Sequence, residues 1–188
     1  DVFDEEGNSV TDTTGELVCT KPFPSMPIMF WNDPDGKKYQ EAYFDYYPNV
    51  WRHGDWTKLT KRGTLVIFGR SDATLNPGGV RIGTAEIYKV VESFKEILES
   101  IVIGQEWEDD IRIVLFVKLT EKISLDKKLK TEIKNKLRQL VSPRHVPAKI
   151  ISVADIPRTR SGKITELAVR DIIHGKKIKN IEALSNPE

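Results

Sequence analysis

The chain has 188 residues, 39% of them hydrophobic and 30% charged, a composition typical of a folded protein and not of a disordered one. Its 29 Lys and Arg residues nearly balance 28 Asp and Glu residues, so no overall charge favours nucleic acid or an anionic membrane as a partner. No apolar run approaches the roughly 20 residues of a membrane-spanning helix, and the single cysteine, Cys19, cannot form an internal disulfide. These features predict one or two small domains and a cytoplasmic location.

Residues 1–68 predict a β-rich region. Short runs of aromatic and β-branched residues are separated by turn residues, as in strands. The prolines between residues 22 and 27 exclude a helix after the first strand, and Asp33–Gly36 favours a turn. Cys19 lies in the first strand, where we expect a small buried side chain and not a nucleophile. The predicted strands span residues 15–20, 50–56 and 63–68.

Many aromatic residues fall between positions 39 and 56. A platform that stacks nucleic-acid bases also needs an interleaved basic groove, which this segment lacks. We therefore expect these rings to pack in the core and on the surface of the protein. They are Tyr39, Tyr43, Phe44, Tyr46, Tyr47, Trp51 and Trp56.

Beyond residue 72, apolar residues recur at helical spacing in three segments. The first follows Thr84, which can cap a helix, and the second lies between Ser124 and Pro143. Gly175 stands where the third helix needs a C-terminal cap. The predicted helices span residues 84–98, 125–141 and 165–174.

Apolar segments between these helices predict three strands. They span residues 101–103, 111–119 and 149–153, with a charged turn at 106–110 between the first two. A sheet covered by helices is a self-sufficient α/β module.

Residues 69–83 combine several chemically useful side chains. Arg70 and Arg81 offer forked donors suited to phosphate or ribose oxygens. Gly78 and Gly79 allow a ligand to approach the backbone, or a positive φ. The segment has neither helical nor strand periodicity, which favours a site or a joint. Taken by itself, however, the segment fits a surface turn with two solvated arginines better than it fits a site.

Three blocks, at residues 51–56, 69–83 and 157–164, occur in an order and spacing that resemble the C-terminal third of the adenylate-forming acyl-CoA synthetases. The second block continues into residues 84–88 as in the branch containing acetyl-CoA and acetoacetyl-CoA synthetases. Three further stretches most resemble the keto-acid members of that branch, and they cover residues 74–81, 142–147 and 183–188. Three ordered blocks are a far more specific signal than any one of them.

This resemblance implies an α+β fold in two parts. Residues 1–70 would be the β-rich end of the large adenylation domain, and residues 71–188 a mobile C-terminal lid with a three-stranded sheet packed by helices. The family's phosphate loop and acid pocket would lie upstream, so the missing N-terminal adenylation domain of the same polypeptide is the expected partner. We expect the chain alone to be an inactive fragment.

The resemblance also implies the chemistry of an ATP-dependent acid-CoA ligase. Such an enzyme forms an acyl-AMP and then an acyl-CoA, using ATP with Mg²⁺, and coenzyme A as co-substrate. The acid would be a short-chain carboxylic or keto acid. Alternatives are an adenylate-forming enzyme that passes its acyl group elsewhere, and a non-catalytic module that retains the fold.

Residue roles follow by matching this sequence to the family motifs. Lys163 resembles the lysine that promotes adenylation, and Asp55 resembles the carboxylate that binds the ribose hydroxyls. Arg70 and Arg81 are the expected nucleotide contacts. A phosphate-binding Walker loop does not fit the Lys163 segment, because Pro157 replaces its first glycine. An exposed lysine in a basic loop remains the simpler alternative.

Two further roles concern the motion and the second substrate. Asp72 resembles the family's hinge residue, although Ala73 replaces the second carboxylate of the commoner Asp-Asp pair. Gly78, Gly79 and Val80 resemble the segment that lines the coenzyme A tunnel. The basic residues of 127–138 are the solvated face of a helix, with contact to the coenzyme A 3′-phosphate as the alternative. His53, His145 and His174 lack metal-ligand spacing, and we predict no metal site.

Overall fold

A four-stranded antiparallel sheet organises the first compact unit, Asp1–Asp72. The computed structural model describes residues 1–178 and 181–186. The strands pair in chain order, and one short helix lies between the second and third. The elements are β1 (Val2–Phe3), β2 (Thr14–Cys19), α1 (Lys37–Tyr43), β3 (Trp51–Leu59) and β4 (Leu65–Arg70).

Helix α1 lies in a region for which the sequence predicted strands and turns. The Asp33 carboxylate accepts hydrogen bonds from the backbone N–H groups of Lys38 and Tyr39, at 3.0 and 2.9 Å. Those groups belong to the first turn of α1 and have no partner within the helix. Asp33, which the sequence placed in a turn, therefore also stabilises the start of a helix. The turn pattern alone did not predict this helix.

The aromatic residues pack as predicted. Tyr43 of α1 stacks on Trp51 of β3, with ring centroids 3.6 Å apart and an interplanar angle of 15°. Tyr39 and Phe44 also lie against Trp51, so the rings fix the helix to the sheet. Trp51 itself is only 5% exposed.

Cys19 corrects one expectation, because its side chain is only partly buried. Successive residues of a strand point to opposite faces of the sheet. The Val18 side chain lies on the buried face of β2 and is 1% exposed. The side chain of its neighbour Cys19 therefore lies on the opposite face.

The second unit, Ala73–Glu188, is built on a three-stranded sheet. Strands β5 and β6 form an antiparallel hairpin, and β7 pairs in parallel with β6. Such a parallel pairing requires a crossover, which α3 supplies. This mixed architecture confirms the predicted α+β fold with a three-stranded sheet. The elements are α2 (Thr84–Val91), β5 (Ile97–Trp107), β6 (Asp110–Leu119), α3 (Lys127–Leu140), β7 (Lys149–Ser152) and α4 (Glu166–Ile173).

The core of this unit lies between the sheet, α2 and α3. Its apolar residues recur every three or four positions along the helices and at alternate positions along the strands. Among its most deeply buried members are Ile87, Val91, Val102, Leu115, Val117, Ile133 and Leu137. Among the described residues, no helix is both long and apolar enough to cross a membrane.

Helix α2 is shorter than predicted. It ends at Val91, and Ile97 and Leu98 belong to β5. The hydroxyl and N–H of Ser93 both donate to the carbonyl of Val90, at 2.6 and 3.3 Å, which closes a turn after the helix. Ile97 is 6% exposed and Leu98 is 55% exposed, which is the alternation expected of a strand. The position of Ile97 also fits the helical spacing of α2, so the sequence pattern did not show where the helix ends.

Helix α3 follows its predicted stripe with two corrections. Its N-cap is Asp126 and not Ser124, because the Asp126 carboxylate accepts from the Leu129 N–H at 2.7 Å. Leu140, expected on the buried stripe, is 65% exposed. The central stripe residues, Leu129, Ile133 and Leu137, are buried as predicted.

The predicted cap of α4 is confirmed. Gly175 has φ = 67°, and its N–H donates to Ile172 O at 2.9 Å, while the Lys176 N–H donates to Asp171 O at 2.8 Å. This pair of bonds is the Schellman arrangement, which favours glycine. The predicted charged turn is also present but narrower, since Glu108 and Asp109, both at positive φ, join β5 directly to β6.

Candidate functional site

In the first unit, the end of β4 gathers several of the candidate residues. Asp55 of β3 lies opposite Arg70 of β4 in the sheet register. Arg70 Nη1 lies 3.6 Å from Asp55 Oδ1, and its Nη2 lies 3.3 Å from Asp72 Oδ2. Nη1 also donates to the carbonyl of His53 at 3.2 Å, and His53 Nε2 lies 3.3 Å from Asp55 Oδ2. One guanidinium is thus held between two carboxylates.

This arrangement keeps Arg70 charged and leaves it accessible. Burial lowers the pKa of the Arg70 guanidinium, but the hydrogen bond and charge of Asp72 and the charge of Asp55 raise this pKa above its ordinary value. The side chains of Arg70, Asp72 and Asp55 are 50%, 43% and 21% exposed. A ligand oxygen can therefore reach both positive and negative groups here.

Gly54 allows the guanidinium to lie against the backbone of β3. Its φ is +86°, and a Cβ at this position would stand 2.6 Å from Arg70 Nη2. The Gly54 N–H donates to Glu16 Oε1 at 2.9 Å, and Glu16 Oε2 lies 3.1 Å from Arg52 Nε. The buried Glu16 thus fixes the strand beneath the cluster, a role that the sequence analysis missed.

A cavity of about 290 Å³ opens beside these residues within the first unit. Arg52, His53 and Gly54 line it from β3, and Arg70 and Asp72 from the end of β4. The polar part of the lining consists of two guanidinium groups, a carboxylate and an imidazole. Such groups suit a ligand with hydroxyl or phosphate oxygens.

In the second unit, residues 76–81 form a loop closed by Leu75 and Ile82. These two residues exchange backbone hydrogen bonds of 2.9 and 2.8 Å and are 1% and 2% exposed. Gly78 and Gly79 have φ values of +58° and +76°, and neither has an atom within 4 Å of a Cβ built on it. The positive φ values favour glycine at both positions, although a side chain would meet no neighbouring atom there. The backbone surface of the two residues is therefore open.

Asp110, at the start of β6, fixes this loop. Its Oδ1 accepts the Gly78 N–H at 2.9 Å and the Ile111 N–H at 2.7 Å. These backbone hydrogen bonds lower the pKa of the Asp110 carboxyl. The sequence analysis placed Asp110 only in a charged turn, and nothing in the local pattern pointed to the distant Gly78.

Lys163 lies in a tight hairpin whose two sides pair at Arg158 and Ile164. The N–H of Thr159 donates to Lys163 O at 2.8 Å, and the N–H of Lys163 donates to Thr159 Oγ1 at 3.1 Å. Gly162 takes φ = +83° at the turn. The hairpin therefore fixes the backbone of Lys163 and leaves its side chain exposed.

Arg158 anchors the same hairpin to the sheet. Its Nη1 donates to Gly162 O at 2.7 Å, and its Nη2 lies 3.2 Å from Glu99 Oε2 on β5. Arg158, a basic residue of the loop that contains the exposed Lys163, therefore stabilises the hairpin and its attachment to β5.

A partly buried polar cluster links α2 to α4. The Tyr88 hydroxyl donates to Glu166 Oε1 at 3.0 Å and accepts the Val102 N–H at 3.2 Å, and Thr84 Oγ1 donates to Glu166 Oε1 at 3.4 Å. Burial and the Glu166 charge raise the pKa of the Tyr88 hydroxyl. Thr84 lies three residues after the 76–81 loop and Glu166 three residues after Lys163, so one cluster braces both candidate segments.

His145 and His174 each contact residues distant in the sequence. His145 is 8% exposed, with Nδ1 2.8 Å from Ser142 Oγ and Nε2 3.4 Å from Glu86 Oε2. His174 Nε2 accepts the Glu106 N–H at 3.0 Å. Among the described residues, no group of three or more His, Cys, Asp or Glu side chains could hold a metal ion.

The candidate residues fall into two sets, one in each unit. Asp55, Arg70 and Asp72 meet in the first unit. The second contains Arg81, which is exposed, Val80, which is 38% exposed, and Lys163. Asp72 is the last residue of the first unit.

Comparison with known proteins shows what the chain is similar to. Residues 86–163 match the model of the AMP-binding enzyme C-terminal domain. Along its whole length the chain is similar to acetoacetyl-CoA synthetases. It is 64% identical over 188 residues to that of Rhizobium meliloti (strain 1021) and 48% identical over 190 residues to that of Xenopus tropicalis.

A solved structure agrees with these relatives. Acetoacetyl-CoA synthetase from Streptomyces lividans superposes with a TM-score of 0.92 at 48% identity over 99% of this chain. The predicted membership of the acyl-CoA synthetase family, and the narrower likeness to its acetoacetyl branch, are confirmed. The chain spans 29% and 28% of the length of the two relatives, and 28% of the Streptomyces chain.

Proposed function

We propose that this chain acts as the C-terminal part of an ATP-dependent acid-CoA ligase whose acid is acetoacetate. The observation that supports this most strongly is the 64% identity, over the whole chain, to an acetoacetyl-CoA synthetase. The proposed substrates are acetoacetate, ATP and coenzyme A. The proposed partner is an N-terminal adenylation domain of the same polypeptide, and neither nucleic acid nor a membrane is needed.

The first half-reaction joins the acid to AMP. A carboxylate oxygen of the acid attacks the α-phosphorus of ATP, and the bond from that phosphorus to the leaving pyrophosphate breaks. Negative charge crowds around the phosphorus, so a positive group placed there lowers the barrier. Lys163 takes this role because it is an exposed ammonium on a hairpin whose backbone is fixed.

The nucleotide contacts come from both units. Asp55 accepts hydrogen bonds from the ribose hydroxyls, since an ionised carboxylate is purely an acceptor. Arg70, held beside it at 3.6 Å, donates to the ribose from the other side. Arg81, at the end of the 76–81 loop, meets the phosphates.

The second half-reaction transfers the acyl group to coenzyme A. The thiolate attacks the acyl carbon, and the bond from that carbon to the AMP oxygen breaks. We propose that the second unit rotates about Asp72 between the two steps, so that Gly78, Gly79 and Val80 line the path of the pantetheine arm. Their open backbone surface supports this role.

Mg²⁺ would arrive with the phosphates of ATP, and we assign it no ligand from this chain. The single cysteine supports a reducing compartment, and we propose the cytoplasm.

The decisive experiment measures AMP release by the full-length enzyme with acetoacetate, ATP, Mg²⁺ and coenzyme A. We expect release that requires both the acid and coenzyme A, with acetate and other short-chain acids as poorer substrates. Release with acid alone would favour transfer to another acceptor, and no release would favour a non-catalytic module. Residues 1–188 alone should show no turnover; robust activity would mean that the site lies wholly within this chain.

A further inference from the structure

Residues 183–186, here called the tail segment, pair with the strand that leads into the Lys163 hairpin. The Arg160 N–H donates to Ala183 O at 2.9 Å, and the Ser185 N–H donates to Arg158 O at 2.8 Å. Thr159 and Leu184 are antiparallel bridge partners. Residues 158–160 thus form the middle of three extended segments, with the tail segment on one side and Lys163 on the other.

The backbone groups of this middle segment divide between its two neighbours. The N–H and C=O of Thr159 bond to Lys163 O and the Gly162 N–H, each at 2.8 Å. The N–H and C=O of Arg158 and the N–H of Arg160 bond to the tail segment instead, as alternate residues of a strand do. Without the tail segment, this side of the middle strand would be an unpaired edge.

Asn186 makes the most contacts in the tail segment. Its Oδ1 accepts the Arg158 N–H at 2.9 Å, and its Nδ2 donates to Ile156 O at 3.1 Å and to Asp155 Oδ2 at 2.8 Å. Asp155 is in turn 2.8 Å from Lys118 Nζ on β6. One amide side chain thus joins the tail segment to the entrance of the hairpin and, through Asp155, to the sheet.

Burial supports the same conclusion. Leu184, at the bridge with Thr159, is 8% exposed, and Ile156 is 0% exposed. Residues 187 and 188, which were part of the sequence resemblance, lie outside the described residues. Within the described residues, 183–186 contact Asp155, Ile156, Arg158 and Arg160.

We propose that the tail segment positions Lys163 for adenylation, and that Asn186 is its main positioning residue. This inference rests on the proposed function, which gives Lys163 its role. The Lys163 side chain is long and exposed, so the placement of its charge depends on how firmly its backbone is held. Displacement of a catalytic group by about 1 Å can lower a rate by as much as 10²-fold, and loss of the Asn186 bonds loosens the segment that precedes Lys163.

The test uses Asn186→Ala in the full-length enzyme, with Glu182→Ala as the matched control. Glu182 lies in the same C-terminal region and is exposed. We expect Asn186→Ala to slow single-turnover acyl-AMP formation about tenfold, with little change in the KM for ATP. Thioester formation from supplied acyl-AMP should keep its rate, and Glu182→Ala should match wild type in both steps. A general loss of folded protein would instead lower both half-reactions equally and overturn the inference.

A double variant tests whether Asn186 acts through Lys163. If it does, Lys163→Ala with Asn186→Ala should adenylate no more slowly than Lys163→Ala alone. A further loss would overturn the inference. Hydrogen exchange of the Arg158 and Arg160 amides should accelerate in Asn186→Ala, and unchanged exchange would also overturn it.

The two proposals fail in different ways. A wild-type enzyme without acid-dependent AMP release overturns the proposed function and this inference together. A wild-type enzyme that adenylates, and that is slowed by Lys163→Ala but not by Asn186→Ala, overturns this inference alone.

Discussion

At the scale of single residues, Lys163 is the group that we propose for the first half-reaction. If its charge acts only in the adenylation transition state, Lys163→Ala in the full-length enzyme should slow acyl-AMP formation by about 10²- to 10³-fold, or roughly 3 to 4 kcal/mol. Separate single-turnover assays measure this step and thioester formation from supplied acyl-AMP, which should survive.

The control for this change is Lys37→Ala. Lys37 is an exposed lysine on α1 whose ammonium group lies 3.8 Å from Glu41, and it has no proposed part in the reaction. Its loss should leave both half-reactions unchanged. Equal damage to the two steps in Lys163→Ala would contradict a role confined to adenylation.

Gly54 is the residue that lets Arg70 lie beside Asp55. In Gly54→Ala the new Cβ would stand 2.6 Å from Arg70 Nη2, so the guanidinium must move away from the proposed ribose site. We expect the KM for ATP to rise about tenfold, the effect of roughly 1.4 kcal/mol, as measured by initial rates at varied ATP.

Gly63→Ala is the matched control, because it separates backbone strain from the displacement of Arg70. Gly63 also has a positive φ, +76°, but no atom lies within 4 Å of a Cβ built on it. Both variants should lose stability, since a side chain disfavours this conformation. A similar rise in the KM for ATP in both variants would mean that displacement of Arg70 is not the cause.

At the scale of elements, helix α3 shows how one carboxylate decides where a helix begins. Asp126 accepts the Leu129 N–H at 2.7 Å, which satisfies a donor that the first turn leaves unpaired. We expect Asp126→Ala to lower the free energy of unfolding by about 1 kcal/mol, measured by urea denaturation of the chain. Ser124→Ala, at the start that the sequence favoured, should change it by much less, and equal losses would mean that Asp126 is not the cap.

The strands and loops around the site depend on similar contacts between elements. Asp110 of β6 holds Gly78, and Glu166 of α4 holds Tyr88 of α2. Neither bond joins neighbours in the sequence: the partners are 32 and 78 residues apart. The positions of the functional loops are therefore a property of the packed unit and not of the loops themselves.

At the scale of the whole molecule, the proposed mechanism requires the second unit to change its orientation about Asp72. Asp72→Pro would fix φ near −65° and remove the backbone N–H. We expect this variant to keep one half-reaction, adenylation, and to lose thioester formation. Single-turnover assays that follow acyl-AMP formation and its consumption by coenzyme A separately measure the two outcomes.

Proline at this position also removes the carboxylate that binds Arg70 at 3.3 Å. Asp72→Ala removes the carboxylate but leaves the backbone free, so it should retain both half-reactions. If Asp72→Pro ran both steps at wild-type rates, the pivot would have to lie elsewhere between Phe68 and Gly83. If Asp72→Ala failed in the same step, the ion pair and not the hinge would be responsible.

The sequence by itself determined the features whose cause is local. The three motif blocks identified the family, and the stripe of Leu129, Ile133 and Leu137 predicted the buried face of α3. Gly175 predicted the end of α4, because the left-handed conformation of its cap favours glycine. Each single block, the helical stripe and the cap glycine is contained within a short stretch of chain.

Only the tertiary structure decided the rest. The end of α2 could not be read from spacing, because Ile97 continues the helical pattern while its backbone pairs in a strand. The start of α1 depends on the Asp33 carboxylate, which accepts a backbone hydrogen bond from the first turn. The position of Gly78 depends on its hydrogen bond to the distant Asp110. Asn186 reaches Arg158 from 28 residues away. Such contacts depend on how distant segments pack and pair, which a local pattern of residues does not encode.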